Sequence, residues 1–128
     1  MIDHVSIAVR DLASAETFYT ALLTPLGMRK LREWPNAAIG FGKKYPEFWI
    51  NRRAAMDCVA NDSGVHICLR ATDSRAVEDF HAAALKSGGT SDGAPGLRAG
   101  YHDSYYAAFI RDPDGNRIEA VTFLKAQE

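Results

Sequence analysis

The sequence predicts an α+β chain of two tandem βαβββ modules. Three observations predict it: an internal repeat, a period-2 alternation opening each copy, and a helical apolar spacing that follows it. Asp3-His4-Val5-Ser6-Ile7-Ala8-Val9 lies over Val65-His66-Ile67-Cys68-Leu69-Arg70-Ala71 with His4 on His66, an offset of 62 residues. At the same offset Asp11 falls on Asp73, Glu16 on Glu78, Phe18 on Phe80, Ala21 on Ala83, Leu23 on Leu85 and Gly27 on Gly89. These positions carry the residue types that shape a strand–helix unit, so a duplicated module explains them better than chance.

Each element has its own reason. Val5, Ile7 and Val9 alternate with His4, Ser6 and Ala8, and Val65, Ile67 and Leu69 with His66, Cys68 and Arg70, as two-faced strands do. Asp11 and Asp73 then stand where a carboxylate accepts from the free N–H groups of a helix start. Leu12, Ala15, Phe18, Leu22 and Leu26 space a helix near 11–24, and Val77, Phe80 and Ala84 one near 73–87. Gly27 and Gly88-Gly89 end them. Short strands are expected at 28–33, 37–42 and 48–52, and again at 90–94, 105–111 and 117–123. Asp112-Pro113-Asp114-Gly115 is a strong turn that joins the last two as a hairpin. Gly93–Asp103, with several glycines and Pro95, reads as the longest loop.

The 128 residues suit one small domain, module one spanning about 1–60 and module two about 61–125. Formal net charge is −1, with Lys and Arg scattered. Without a basic stripe a duplex nucleic-acid partner is not expected. Neither helix has a basic polar face and no apolar run reaches membrane-spanning length, so no membrane partner is expected either. Cys58 and Cys68 make no disulfide framework, and Met1-Ile2-Asp3-His4 opens no signal peptide; residence in the cytoplasm is the expectation.

Asp3–Val9, the helix ending Phe18-Tyr19…Leu23…Leu26-Gly27, and Phe109-Ile110-Arg111-Asp112-Pro113-Asp114-Gly115-Asn116-Arg117-Ile118-Glu119 together resemble the vicinal-oxygen-chelate superfamily, the glyoxalase, bleomycin-resistance and dioxygenase proteins. The likeness runs from residue 2 to about 123. It implies a split barrel in which each module curls its sheet into a cup and two cups face a cavity. It also implies a divalent metal (Zn, Mn, Ni or Fe(II)) on His4, His66 and Glu119, and a homodimer. Two imidazoles and a carboxylate with open positions suit such ions, and both histidines lie off the Val/Ile faces of their strands. His81, on a helix, and His102, in the expected loop, have no such support.

The fourth corner departs from glyoxalase I-like members. Laying Ile118-Glu119 over Phe48-Trp49 puts Trp49 there; Glu47, two residues earlier on the same face, reaches the corner only by a register shift. The three-ligand set is more like fosfomycin-resistance transferases and extradiol dioxygenases. Ser6 sits where the resemblance implies a catalytic hydroxyl, and Glu119 or Glu47 is the expected proton carrier. Trp49 and Tyr106, among other aromatics, are candidates to wall a small-molecule pocket, with Arg70 and Arg111 to anchor an anion. Cys68 reads as a cavity-wall residue rather than a nucleophile. The expected function is a metal-dependent enzyme on a small substrate with vicinal oxygens, its reaction left open among lyase, isomerase, transferase and dioxygenase types. The alternatives are a metal-free sequestration protein of the bleomycin-resistance type and an interaction scaffold.

Overall fold

A computed structural model describes residues 1–125. The elements run β1 (Val5–Val9), α1 (Leu12–Leu23), a 3-10 turn (Thr24–Leu26), β2 (Arg29–Trp34), β3 (Ala38–Gly42), β4 (Phe48–Arg52), β5 (His66–Arg70), α2 (Ser74–Lys86), β6 (Thr90–Leu97), β7 (Tyr105–Arg111) and β8 (Arg117–Phe123). They form two four-stranded mixed sheets, β1-β4-β3-β2 and β5-β8-β7-β6. The second order repeats the first, so the duplication in sequence is a duplication in space.

Corresponding residues do corresponding work. Asp11 and Asp73 both cap their helices, accepting from Ser14 N at 3.0 Å and from Ala76 N at 2.8 Å. Gly27 ends the first helical segment in the left-handed region at φ 78°, where a side chain is strained. Phe18 and Phe80 are both buried. Leu23 and Leu85 part company: the first is buried and the second exposed, because a matched sequence position does not guarantee matched neighbours. β6 also differs from expectation. Residues 93–97, read as the start of a loop, continue the edge strand through two register irregularities around Gly93 and Gly96, where bulges tolerate Gly and Pro.

The helix-facing sides of both sheets share one hydrophobic core. Ile7, Val9, Phe41 and Ile50 of the first sheet and Ile110, Ile118 and Ala120 of the second close over Phe18, Leu22, Val77 and Phe80, with α1 packed against α2. The Asp112–Gly115 turn rivets the modules together. Tyr19 Oη donates to buried Asp112 Oδ2 at 2.6 Å, Arg10 Nε donates to Asp114 Oδ1 at 2.7 Å, and Asn116 Nδ2 donates to Ala8 O at 2.8 Å. The connection between modules, residues 53–65, is held as well. Val59 N donates to Asp114 O at 2.8 Å, Arg111 Nη1 to Asn61 Oδ1 at 3.0 Å, and Arg117 Nη1 to Ser63 O at 2.6 Å. With its helix side committed to this core, each sheet leaves its other face open: Ser6, His66, Cys68 and Arg70 are exposed. No helix of the described residues is long and apolar enough to cross a membrane.

Candidate metal centre

The open face of the second sheet carries a polar cluster around Glu119. β5 and β8 run parallel with Cys68 opposite Glu119, and β7 runs antiparallel with Phe109 opposite Glu119. Period-2 alternation then puts His66, Cys68 and Arg70, Glu119, and Tyr105 and Phe109 on one face. Glu119 is only 2% exposed, yet both its oxygens are engaged. Oε1 lies 2.9 Å from His66 Nε2, and Oε2 accepts a short hydrogen bond from Tyr105 Oη. A buried carboxylate needs such partners to offset its lost hydration. Burial, reinforced by the bond to Glu119, holds the Tyr105 hydroxyl well above its ordinary range, so it stays a donor. Desolvation of the Cys68 sulfur, although the residue as a whole is exposed, and the nearby Glu119 charge push that thiol up to about 12. It is therefore an un-ionised wall residue at neutral pH.

His4 is prepared separately. It immediately precedes β1, on an exposed rim, with Nδ1 2.7 Å from Asp3 Oδ1. Asp3 also accepts from Tyr45 Oη at 2.9 Å, and these two bonds lower its pKa. With Nδ1–H donated to a carboxylate, the Nε2 lone pair is the one presented outward, the orientation that metal-ligating histidines take. His4 lines a cavity of about 420 Å³ with Glu47, Cys68 and Arg70, whereas His66 lines a different one with Asp92, Tyr101, Phe109 and Arg117.

The remaining sequence candidates fall into place on the same ladders. Trp49 lies opposite Ser6 in the β1–β4 register, the relation Glu119 has to Cys68 in the second module. The indole therefore occupies the corner equivalent to Glu119, and Glu47, whose carbonyl accepts from Val5 N at 2.9 Å, stands one residue before the strand. Ser6 is exposed beside Trp49. Arg70 lies 4.9 Å over the Phe123 ring and has no ion pair among the described residues. Arg111 is engaged by Asn61 and Asp92. Tyr106 points to the helix side, where its hydroxyl donates to Glu78 Oε2 at 2.8 Å. Asp3 and Tyr45 are residues that sequence reasoning did not single out, and it names Tyr105 only as one of several aromatics that can line a pocket. Strand parity carried the signal for Tyr105, since it is an even number of residues from Phe109, the partner of Glu119.

The donor chemistry fits an ion in part. Two ligands at about 2.1 Å from one metal, at right angles, stand roughly 3 Å apart, and His66 Nε2 and Glu119 Oε1 are 2.9 Å apart. Among the described residues no three His, Cys, Asp or Glu side chains of one chain converge on a point. One chain thus brings His66 and Glu119 together on the second sheet and leaves His4 apart from them.

A family model of the Glyoxalase/Bleomycin resistance protein/Dioxygenase superfamily matches residues 1–120. Among solved structures, a glyoxalase/bleomycin resistance protein from Albidiferax ferrireducens is similar at 30% identity and a TM-score of 0.78, over 93% of this chain and 95% of that one. A genomically encoded fosfomycin resistance protein, FosX, from Listeria monocytogenes, complexed with Mn(II) and a dihydroxypropylphosphonic acid, shares the fold at 14% identity and a TM-score of 0.71, over 97% and 90% of the two chains. Lactoylglutathione lyase from Agrobacterium tumefaciens does so at 20% identity and a TM-score of 0.63, over 94% and 92%. No curated protein sequence matches the chain. Two βαβββ modules in a split-barrel arrangement, the closing Asp-Pro-Asp-Gly hairpin and the match over residues 1–120 agree: the chain belongs to the Glyoxalase/Bleomycin resistance protein/Dioxygenase superfamily.

Proposed function

We propose that the chain is a divalent-metal-dependent enzyme acting on a small substrate that chelates the ion through neighbouring oxygens. The observation that carries this reading is the clamped pair His66–Glu119: a buried carboxylate with one oxygen fixed by Tyr105 and the other at ligand spacing from an imidazole. His4 supplies the third ligand, and it comes from a second copy, since each chain leaves the open faces of both sheets uncovered while its helices occupy the shared core. A homodimer then holds two equivalent sites, each with His66 and Glu119 of one chain and His4 of the other. The relative that binds Mn(II) with a dihydroxy acid supports the same chemistry.

When bound, the ion supplies Lewis acidity toward an oxyanion developing on the substrate. The chain's own residues do the rest. Tyr105 keeps the Glu119 carboxylate in one orientation. Arg70, free of a carboxylate partner among the described residues and backed by Phe123, anchors a substrate anion. Glu47, exposed beside His4, is the carboxylate that would take a proton from the substrate, and Ser6 offers a hydroxyl on the same sheet.

Trp49 at the corner equivalent to Glu119 favours a second reading, a metal-free binding protein. Mn(II) titration separates the two. His4→Ala and His66→Ala homodimers should each bind Mn(II) poorly. Unfolded and refolded together in equal amounts, they should recover roughly a quarter of the wild-type sites, because half the dimers are mixed and each mixed dimer has one intact site. No recovery would place both histidines in one chain's site, and no Mn(II) uptake by the wild type would leave only the binding protein.

A further inference from the structure

The open face of the first sheet holds a feature that the ligand set does not use. Trp49 on β4 stands opposite Gly40 on β3. A methyl group at Gly40 would lie 2.9 Å from Cε2 and Cζ2 of the indole and 2.9 Å from Pro46 Cβ. The ring therefore rests on glycine backbone, at a position no larger residue fits without lifting it. Its Nε1–H donates to Pro46 O at 3.0 Å, which fixes the rotation of the ring about its side-chain bonds. An indole held at both points is a rigid plate, and the residue is only half-buried.

The surroundings define what the plate receives. A groove of about 620 Å³ is walled by Trp49 with Leu31, Arg32, Trp34, Lys44, Tyr45 and Pro46. Trp34 is 63% exposed and Tyr45 52%. Among the described residues no Asp or Glu lines the groove, and neither Arg32 nor Lys44 has an ion pair. Neighbouring Lys30, by contrast, is paired with Glu16 and Glu33 on the helix side. Two uncompensated cations beside a fixed aromatic plane select a ligand with both a π-face and a negative charge.

We propose that this groove binds a planar, conjugated carboxylate, stacked on the Trp49 indole and ion-paired with Arg32 and Lys44. The inference rests on the reading above, in which this face is a wall of the substrate cleft, and it gives the substrate class: a flat acid whose ring lies on the first module.

Calorimetry on the intact, EDTA-treated protein tests it with three probes: 2-naphthoate, 2-naphthamide and cyclohexanecarboxylate. Naphthoate should bind at least about tenfold more tightly than either comparator, the amide lacking the charge and the cyclohexane the plane. Trp49→Ala, and the double variant Arg32→Gln/Lys44→Gln, should each weaken naphthoate binding about tenfold. Gly40→Ala should weaken it several-fold with the indole still present, which a purely hydrophobic patch would not show. Circular dichroism and melting curves establish that each variant is folded; Trp49→Phe, which keeps a ring, should recover part of the binding if Trp49→Ala fails to fold. Equal binding of acid and amide, or naphthoate binding unchanged in the folded variants, overturns the proposal and leaves the face to a second copy of the chain. The metal reading fails separately: naphthoate bound with no Mn(II) uptake keeps the groove and removes the ion, and Mn(II) uptake without naphthoate does the reverse.

Discussion

Tyr105→Phe is the most informative single change, because it removes one oxygen atom and keeps the ring that packs edge-on against Tyr101 and Phe123. In the native protein Glu119 is 2% exposed and its two oxygens are divided between His66 and Tyr105. The variant leaves Oε2 in the same buried position without its donor. A hydrogen bond to a charged group contributes about 1.5–3 kcal/mol. Because the cluster borders an exposed face, a water can replace part of that, so a loss of about 1–2 kcal/mol is expected in urea unfolding of EDTA-treated protein. The effect on metal is larger in proportion. Residues that orient a ligand rather than touch the ion typically cost 10- to 100-fold in affinity when lost, so Mn(II) titration should show a Kd raised by about that factor. An unfolding free energy within about 0.5 kcal/mol of wild type, together with Mn(II) affinity within about twofold, would refute the reasoning: Glu119 would then be held by the sheet alone.

Two further changes test the frame around the site. Tyr19→Phe withdraws the hydroxyl that donates to buried Asp112 at 2.6 Å; burial already raises the Asp112 pKa, and the variant should lose about 1–3 kcal/mol in urea unfolding with Mn(II) affinity unchanged. His81 is buried against Ser91, its Nε2 2.7 Å from Oγ, and burial lowers its pKa below the ordinary 6.5. The folded state thus binds fewer protons there than the unfolded chain, so stability present above pH 6.5 is lost as pH falls through that value toward the folded pKa. His81→Gln should flatten the fall in melting temperature between about pH 7 and 5; an unchanged slope would clear His81 of the effect.

How much of this was legible in the sequence depended on whether local chemistry decided it. The caps at Asp11 and Asp73 and the turn at Asp112–Gly115 were legible, because each depends on neighbours within four residues. The strand parity of His66 and Glu119 was legible too, because alternation is a property of the chain itself. The edge strand through Gly93–Leu97 was not, since glycine and proline in a bulged edge look like loop composition. Choosing Tyr106 over Tyr105 shows the limit of composition without register. The two adjacent tyrosines point to opposite faces, one to Glu78 on the helix and the other to Glu119, and only the pairing of β7 with β8 tells them apart. The separation of His4 from His66 was hidden for a different reason: alignment of a repeat says which residues are equivalent, not which of them meet.

The strap between the modules has a bearing on how such a chain assembles. Val59, Asn61 and Ser63 are tied to Asp114, Arg111 and Arg117, so the thirteen or so residues from 53 to 65 act as a spacer of set length and direction, not as a tether. Those ties and the Tyr19–Asp112 bond together hold the two modules of one chain in a single setting. In the homodimer proposed above, this surface connection, remote from the cleft, sets the spacing of the two modules of each chain, and a change in its length would alter the pairing without touching a residue of the proposed site.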